Sequence, residues 1–278
     1  MMKKEVDSGI YQHGYYVKAF DGKVEKYLES LRAGETGNRF DEVFRRAGLK
    51  EGERVLDVGC GRGELIYFSI LKGASRAVGV DYSKDALAIA EKAIGLLPPE
   101  MRKRALLLRS DVSNLELNEQ FDCCFLTDIV EHLTDEQLSK LFLELKKRLS
   151  DKGRLIIHTA PNVNWIKFEY PIKRFLTIPS TVIKRLRGKK PYKAPEGAGF
   201  IRKVLNFLDM YYMRDYYSYS LDMHINEQSP ASLKRHLRSA GFDCKLWCED
   251  GSSNVISIIC KSFWGPDIWA IAEKKLAI

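Results

Sequence analysis

Three residues in the segment Thr127-Asp128-Ile129-Val130-Glu131-His132-Leu133 have the types and the spacing of a chemical site. Asp128, Glu131 and His132 stand at i, i+3 and i+4, so one α-helical turn would bring two carboxylates and an imidazole to one side. Such a group can hold a divalent cation or move a proton. His158, in LIIHTAPN, closes a separate apolar run and is a candidate base beside His132; an ordinary hydrogen-bonded structural histidine is the alternative. A different chemistry is suggested by VLDVGCGRGE, where Gly59, Gly61 and Gly63 follow an apolar run at alternate positions. Glycines in a strand-to-helix turn remove Cβ atoms, so the backbone can bend sharply and a ligand can approach its amides.

These residues need a frame. Apolar runs predict strands at Arg54–Val58, Ala77–Val80, Ala105–Arg109, Phe121–Leu126 and Arg154–Thr159. Helical patterns fall between them at Glu64–Leu71, Lys84–Ile94 and Asp135–Leu149. That alternation predicts a parallel sheet covered by helices on both faces. The rhythm stops through residues 162–223 and resumes at Ser229–Ala240, whose Ser-Pro start and following Gly241 suit helix ends. Asp243–Glu249 and Val255–Lys261 are expected to close the sheet, with the tail FWGPDIWAIAEKKL packing back on it.

Composition narrows the classes. With 278 residues and 45% hydrophobic content the chain can bury one substantial core. No apolar run approaches the roughly 20 residues of a membrane span, and the start has no signal-peptide pattern, so a cytoplasmic protein is expected. The six cysteines lack zinc-site spacing and read as reduced thiols that mostly fill the core.

The glycine pattern differs from the G-x-G-x-x-G of nucleotide dehydrogenases. Following Asp57 as Gly59-Cys60-Gly61-Arg62-Gly63, it resembles motif I of class I S-adenosylmethionine (SAM) methyltransferases. The resemblance covers residues 38–160 strongly and 224–260 more loosely. It implies a Rossmann-like seven-stranded sheet, the class I methyltransferase fold, with a basic, aromatic insertion after the fifth strand. It also implies cofactor contacts along successive strand ends: Asp81 and Tyr82 at the ribose, Asp111 and Val112 at the adenine, and Thr127 and Asp128 beside the methionine moiety. Arg39 either pairs with the cofactor carboxylate or is a solvated helix arginine, and Asp57 either touches the cofactor or braces the loop. On this basis residues 1–37 form a helical cap over the cofactor site, 38–161 and 224–261 the SAM-binding domain, 162–223 an acceptor lid and 262–278 a tail.

The Asp-x-x-Glu-His element resembles that of two groups, the ubiquinone-biosynthesis O-methyltransferases (with the methyltransferase-domain 11 and 23 type) and the small-RNA 2′-O-methyltransferases. In both it belongs to a divalent-metal site completed by a downstream histidine, which here is His224, in LDMHINEQSP. The resemblance implies a site of Asp128, Glu131, His132 and His224 for Mg²⁺, Mn²⁺, Zn²⁺ or Fe²⁺. The rival reading is a helix-capping Glu-His pair with no metal, in which case Asp128, His132 and His158 carry the acid-base chemistry.

The insertion concentrates the charge. Residues 172–203 hold ten Lys or Arg against Glu196, whereas the whole chain carries +8, so the remainder is close to neutral. Phe175, Leu176, Ile178, Val182 and Ile183 interleave with the basic residues. This mixture suits an anionic membrane surface, and also a nucleotide-sugar diphosphate or an RNA backbone. The segment lacks the pattern of an RNA-binding module. The expected acceptor is a hydroxyl on a small molecule, glycan or lipid-linked sugar, at a peripheral membrane location. The alternatives are RNA 2′-O-methylation and a non-catalytic SAM-binding regulator that docks on membranes.

Overall fold

The structure is a computed structural model that describes residues 16, 20–35, 37–111, 115, 117–170, 182, 186–187, 224–249 and 265–275. Val112 and, apart from Val182, Leu186 and Arg187, the whole basic run 172–203 lie outside the described residues, as does the expected strand Val255–Lys261.

Among the described residues seven strands form one sheet: β1 (Arg54–Val58), β2 (Arg76–Asp81), β3 (Ala105–Arg109), β4 (Phe121–Thr127), β5 (Leu149–Thr159), β6 (Phe242–Glu249) and β7 (Asp267–Lys274). Their order is β3-β2-β1-β4-β5-β7-β6. The first five run parallel, while β7 lies antiparallel to both β5 and β6. Val55, Leu56 and Val58 of β1 are fully buried, as a strand covered on both faces requires.

One expectation is corrected here. The C-terminal segment does not pack back on a finished sheet; Asp267–Lys274 is itself the strand between β5 and β6. The alternation of DIWAIAEK, with buried Ile268, Ala270 and Ala272 on one side of the strand, is the local signal for it.

Helices α1 (Val24–Arg32), α2 (Gly37–Ala47), α3 (Glu64–Leu71), α4 (Lys84–Ile94), α5 (Pro99–Arg102), α6 (Asp135–Arg148) and α7 (Pro230–Ser239) flank the sheet. Ser83 caps α4, its side chain accepting the Ala86 amide at 3.2 Å. Thr134 with Gln137, and Ser229 with Ser232, form reciprocal capping boxes that start α6 and α7. One core joins α6 and α7 to the sheet through Leu138, Phe142, Leu233, Leu237 and Phe242. The other joins α1, α2, α3 and α4 through Tyr27, Val43, Ile66, Ile89 and Phe125. The helix starts α3 and α4 and the loop after β4 therefore meet at one end of the parallel strands, where α/β folds bind ligands.

Candidate functional site

The glycine loop is built for close approach. Gly59 and Gly63 adopt φ of 74° and 84°, in the left-handed region. A Cβ on Gly59 would stand 3.0 Å from the Ile129 side chain, and one on Gly63 would stand 3.0 Å from the Cβ of Ala90. The amides of Gly59 and Cys60 both donate to the Val80 carbonyl, at 2.8 and 3.0 Å, which ties the turn to the end of β2. There Asp81 accepts the Gly61 amide at 2.9 Å and the Ser83 amide at 2.8 Å. Burial pushes its carboxyl up, against the pull of these amides. The Tyr82 amide bonds it as well, and three amides still leave acceptor capacity on this carboxylate for hydroxyls of a ligand.

Asp57 is buried, and burial, with Glu64 and Asp81 nearby, pushes its carboxyl well up. Burial likewise raises the Cys60 thiol, which packs in the core. Asp111 stands exposed beyond β3, and Tyr82 is half-buried beside Asp81. Arg62 joins the loop to the preceding segment: its guanidinium lies over the rings of Phe20 and Tyr27, at 4.9 and 4.8 Å, and donates to the Tyr16 carbonyl at 2.8 Å. Thr127, at the end of β4, keeps a buried hydroxyl oxygen without a hydrogen-bond partner among the described residues. A turn with glycine at alternate positions, a buried carboxylate and a hydroxyl unsatisfied among the described residues, at adjacent strand ends, fit a nucleoside cofactor.

The loop after β4 departs from the expected helical face. Asp128 has φ of 54°, and Val130–His132 form a 3₁₀ turn, so Asp128 does not join Glu131 and His132 on one side. Its carboxylate instead meets Arg39 through one oxygen and His158 Nδ1 through the other, the latter at 2.5 Å. Burial would raise Asp128, but His158 and then Arg39 outweigh it and hold the carboxyl at about 2. Arg39 thus pairs with Asp128, where the sequence suggested a cofactor carboxylate or solvent.

His158 is enclosed by β7. Its Nε2 faces Asp267 at 3.6 Å and its ring lies 4.4 Å from that of Trp269. Burial lowers His158, yet Asp128 and Asp267 overcome this and push it up to about 9. Arg46 of α2, in turn, sits between Trp247 and Trp269, at 4.6 and 4.2 Å.

Glu131, His132 and His224 do converge. One ligand atom from each lies within 4.8 Å of the others, and the two imidazole rings are 4.9 Å apart. Glu131 is 2% exposed and accepts the Thr159 hydroxyl at 2.6 Å. Burial raises its carboxyl. Among the described residues, His224 Nδ1 is buried without a hydrogen-bond partner. Burial, reinforced by His132, lowers His224 to about 4 and keeps it the neutral, ligating form. Asp128 is absent from this group, so three of the four residues assigned to a metal by resemblance come together. Thr159, Asp267 and Trp269 were missed in the sequence; Thr159 follows His158 directly, and the other two belong to the unrecognised β7.

A family description, mycolic acid cyclopropane synthetase, matches residues 26–171, more than half of the chain and the whole region that carries the glycine loop, Asp81 and the Glu131-His132 turn. The chain belongs to this family. The mycolic acid cyclopropane synthetase match and the fold place it among the class I SAM-dependent methyltransferases. Among curated relatives, the mitochondrial ubiquinone biosynthesis O-methyltransferase of Schizosaccharomyces pombe is 31% identical over 118 residues, 42% of each chain. Sphingolipid C9-methyltransferase B of Emericella nidulans is 27% identical over 142 residues, 50% of this chain and 26% of that one. The chain spans less than half the length of either relative. Among solved structures, a glycopeptide N-methyltransferase complexed with sinefungin superposes with a TM-score of 0.54 at 13% identity, covering 86% of both chains. At that identity the likeness shows the fold.

Proposed function

We propose that this chain transfers the methyl group of SAM to a hydroxyl oxygen, with a divalent metal held by Glu131, His132 and His224. Relatives named as O-, N- and C9-methyltransferases leave the acceptor atom open on family grounds. The observation that favours oxygen is the convergence of one carboxylate and two imidazoles within 4.8 Å, one of them with an unsatisfied buried nitrogen. This donor set suits Mn²⁺, Fe²⁺ or Zn²⁺ better than Mg²⁺, which prefers oxygen ligands. When bound there, such an ion supplies Lewis acidity that lowers the pKa of an acceptor hydroxyl.

The chain's own residues do the rest. Asp81 and the close approach that the glycine turn allows hold the nucleoside, with Thr127 at the adjoining strand end. The Nδ1 contact to Asp128, which pushes His158 up, suits His158 to holding Asp128 in place more than to taking a proton. His132, at the convergent cluster, is the candidate to take a proton where no metal serves. The acceptor we propose is a small-molecule, glycan or lipid-linked hydroxyl, presented at an anionic membrane surface by the basic, apolar run 172–203. Among the described residues no helix is long and apolar enough to cross a membrane.

The test uses SAM carrying a labelled methyl group, offered with separate lipid, glycan and RNA fractions before and after exhaustive chelation. Label entering the lipid or glycan fraction, lost on chelation and restored by Mn²⁺, supports the proposal. Label in RNA would move the reading to 2′-O-methylation. Intact SAM binding with no transfer to any fraction would mark a regulator.

A further inference from the structure

We propose that Asn226 is a positioning residue that sets His224 against Glu131 and His132, an inference that rests on the metal reading above. Residues 224–229 form no helix or strand before α7, so no regular ladder fixes where the His224 ring stands. What fixes the stretch is a set of bonds to the very turn that carries the other two donors. The Asn226 backbone N–H donates to the Glu131 carbonyl at 3.0 Å. Its side-chain Nδ2 donates to Asp135 Oδ1 at 2.9 Å, at the first position of α6, three residues past His132. Gln228 secures the same stretch from below: its carbonyl accepts the Val163 amide at 2.9 Å, its Nε2 donates to the Asn226 carbonyl at 2.9 Å, and its Oε1 accepts the Ser232 hydroxyl at 2.8 Å.

Asn226 and Gln228 are 3% and 1% exposed. Burying two amides in an irregular loop is costly unless their bonds are made. Here the bonds index the loop on the 3₁₀ turn and on α6, as outer-shell partners orient ligands in metal sites. Asp135 is the accessible end of the link, with its side chain 67% exposed and His236 Nε2 at 3.5 Å as a weaker second neighbour.

The test is calorimetry with Mn²⁺ alone on metal-stripped full chain: wild type, Asp135→Ala, Asn226→Ala, and the double variant Asp135→Asn with Asn226→Asp, which reverses donor and acceptor across the same gap. Each single variant is expected to weaken Mn²⁺ binding about 10- to 100-fold while SAM affinity stays within about twofold, and the double variant to recover most of the loss. Should Asn226→Ala fail to fold, the exposed Asp135→Ala decides. Wild-type binding that both single variants retain unchanged overturns the positioning role and leaves the metal reading standing. A wild type that binds no Mn²⁺ overturns both. A fall in SAM affinity and Tm alongside Mn²⁺ affinity shows general damage and overturns the positioning role.

Discussion

The glycine cradle and the Glu131-His132-His224 cluster lie at the same end of the sheet, yet they are assembled in opposite ways. The cradle is made from residues 57–83, two adjacent strands and the helix starts that follow them, and its polar contacts are largely backbone amides. The cluster draws on the loop after β4, the end of β5 and the stretch before α7, and its donor groups meet side chain to side chain. Backbone contacts depend on where the chain bends and tolerate many side chains. Side-chain convergence depends on rotamers and on loops that lie far apart in sequence. The cradle should therefore fail through backbone strain, and the cluster through lost partners.

The sharpest way to break that contrast is Gly63→Val. A non-glycine residue in the left-handed region, crowding Ala90 at 3.0 Å, is expected to cost about 2–5 kcal/mol of stability. Thermal unfolding would read it, and SAM binding should be lost with it. A variant with unchanged Tm and affinity would show that the turn has slack.

The next effect belongs to the side-chain half. His158 is raised from 6.5 to about 9, so its ion pair contributes stability that is full below pH 6.5 and lost as pH rises through 9. Asp128, lowered from 3.8 to about 2, contributes to the same pair above pH 3.8 and loses it as pH falls through 2. The pair should be strongest between about pH 4 and 6.5, and worth about 3 kcal/mol there if the 1.36 kcal/mol per pKa unit applies. Denaturant unfolding of wild type and His158→Gln across pH 6 to 10 checks this. The gap between them should narrow toward pH 10, and a constant gap would remove the charged pair.

Asp81→Ala should lower SAM affinity by about 1.5–3 kcal/mol, the worth of a hydrogen bond to a charged group, and free the Gly61 and Ser83 amides. Calorimetry with SAM measures it; unchanged affinity would dissociate Asp81 from the ribose. Asp111→Ala, at an exposed position, is expected to cost under about 1 kcal/mol in the same measurement. A larger loss at Asp111 than at Asp81 would reverse the picture of a cradle centred on β2.

By itself the sequence determined β1 and β3, whose bounds Arg54–Val58 and Ala105–Arg109 were read as the structure has them. It likewise determined α3 and α4, and the glycine turn between β1 and α3. Hydrophobic period, capping serines and alternate glycines act within a few residues, so their consequences are local. Only the tertiary structure decided where Asp128 points. A single left-handed residue and a 3₁₀ turn sent its carboxylate to Arg39 and His158, while the i, i+3, i+4 spacing had implied a shared face. It also decided that Asp267–Lys274 enters between β5 and β6, which gives His158 its second carboxylate and its tryptophan. His224 meets His132 as the resemblance implied, but residue spacing alone does not record it: partners that far apart in the chain are brought together by how the sheet closes and which loops it carries to one edge.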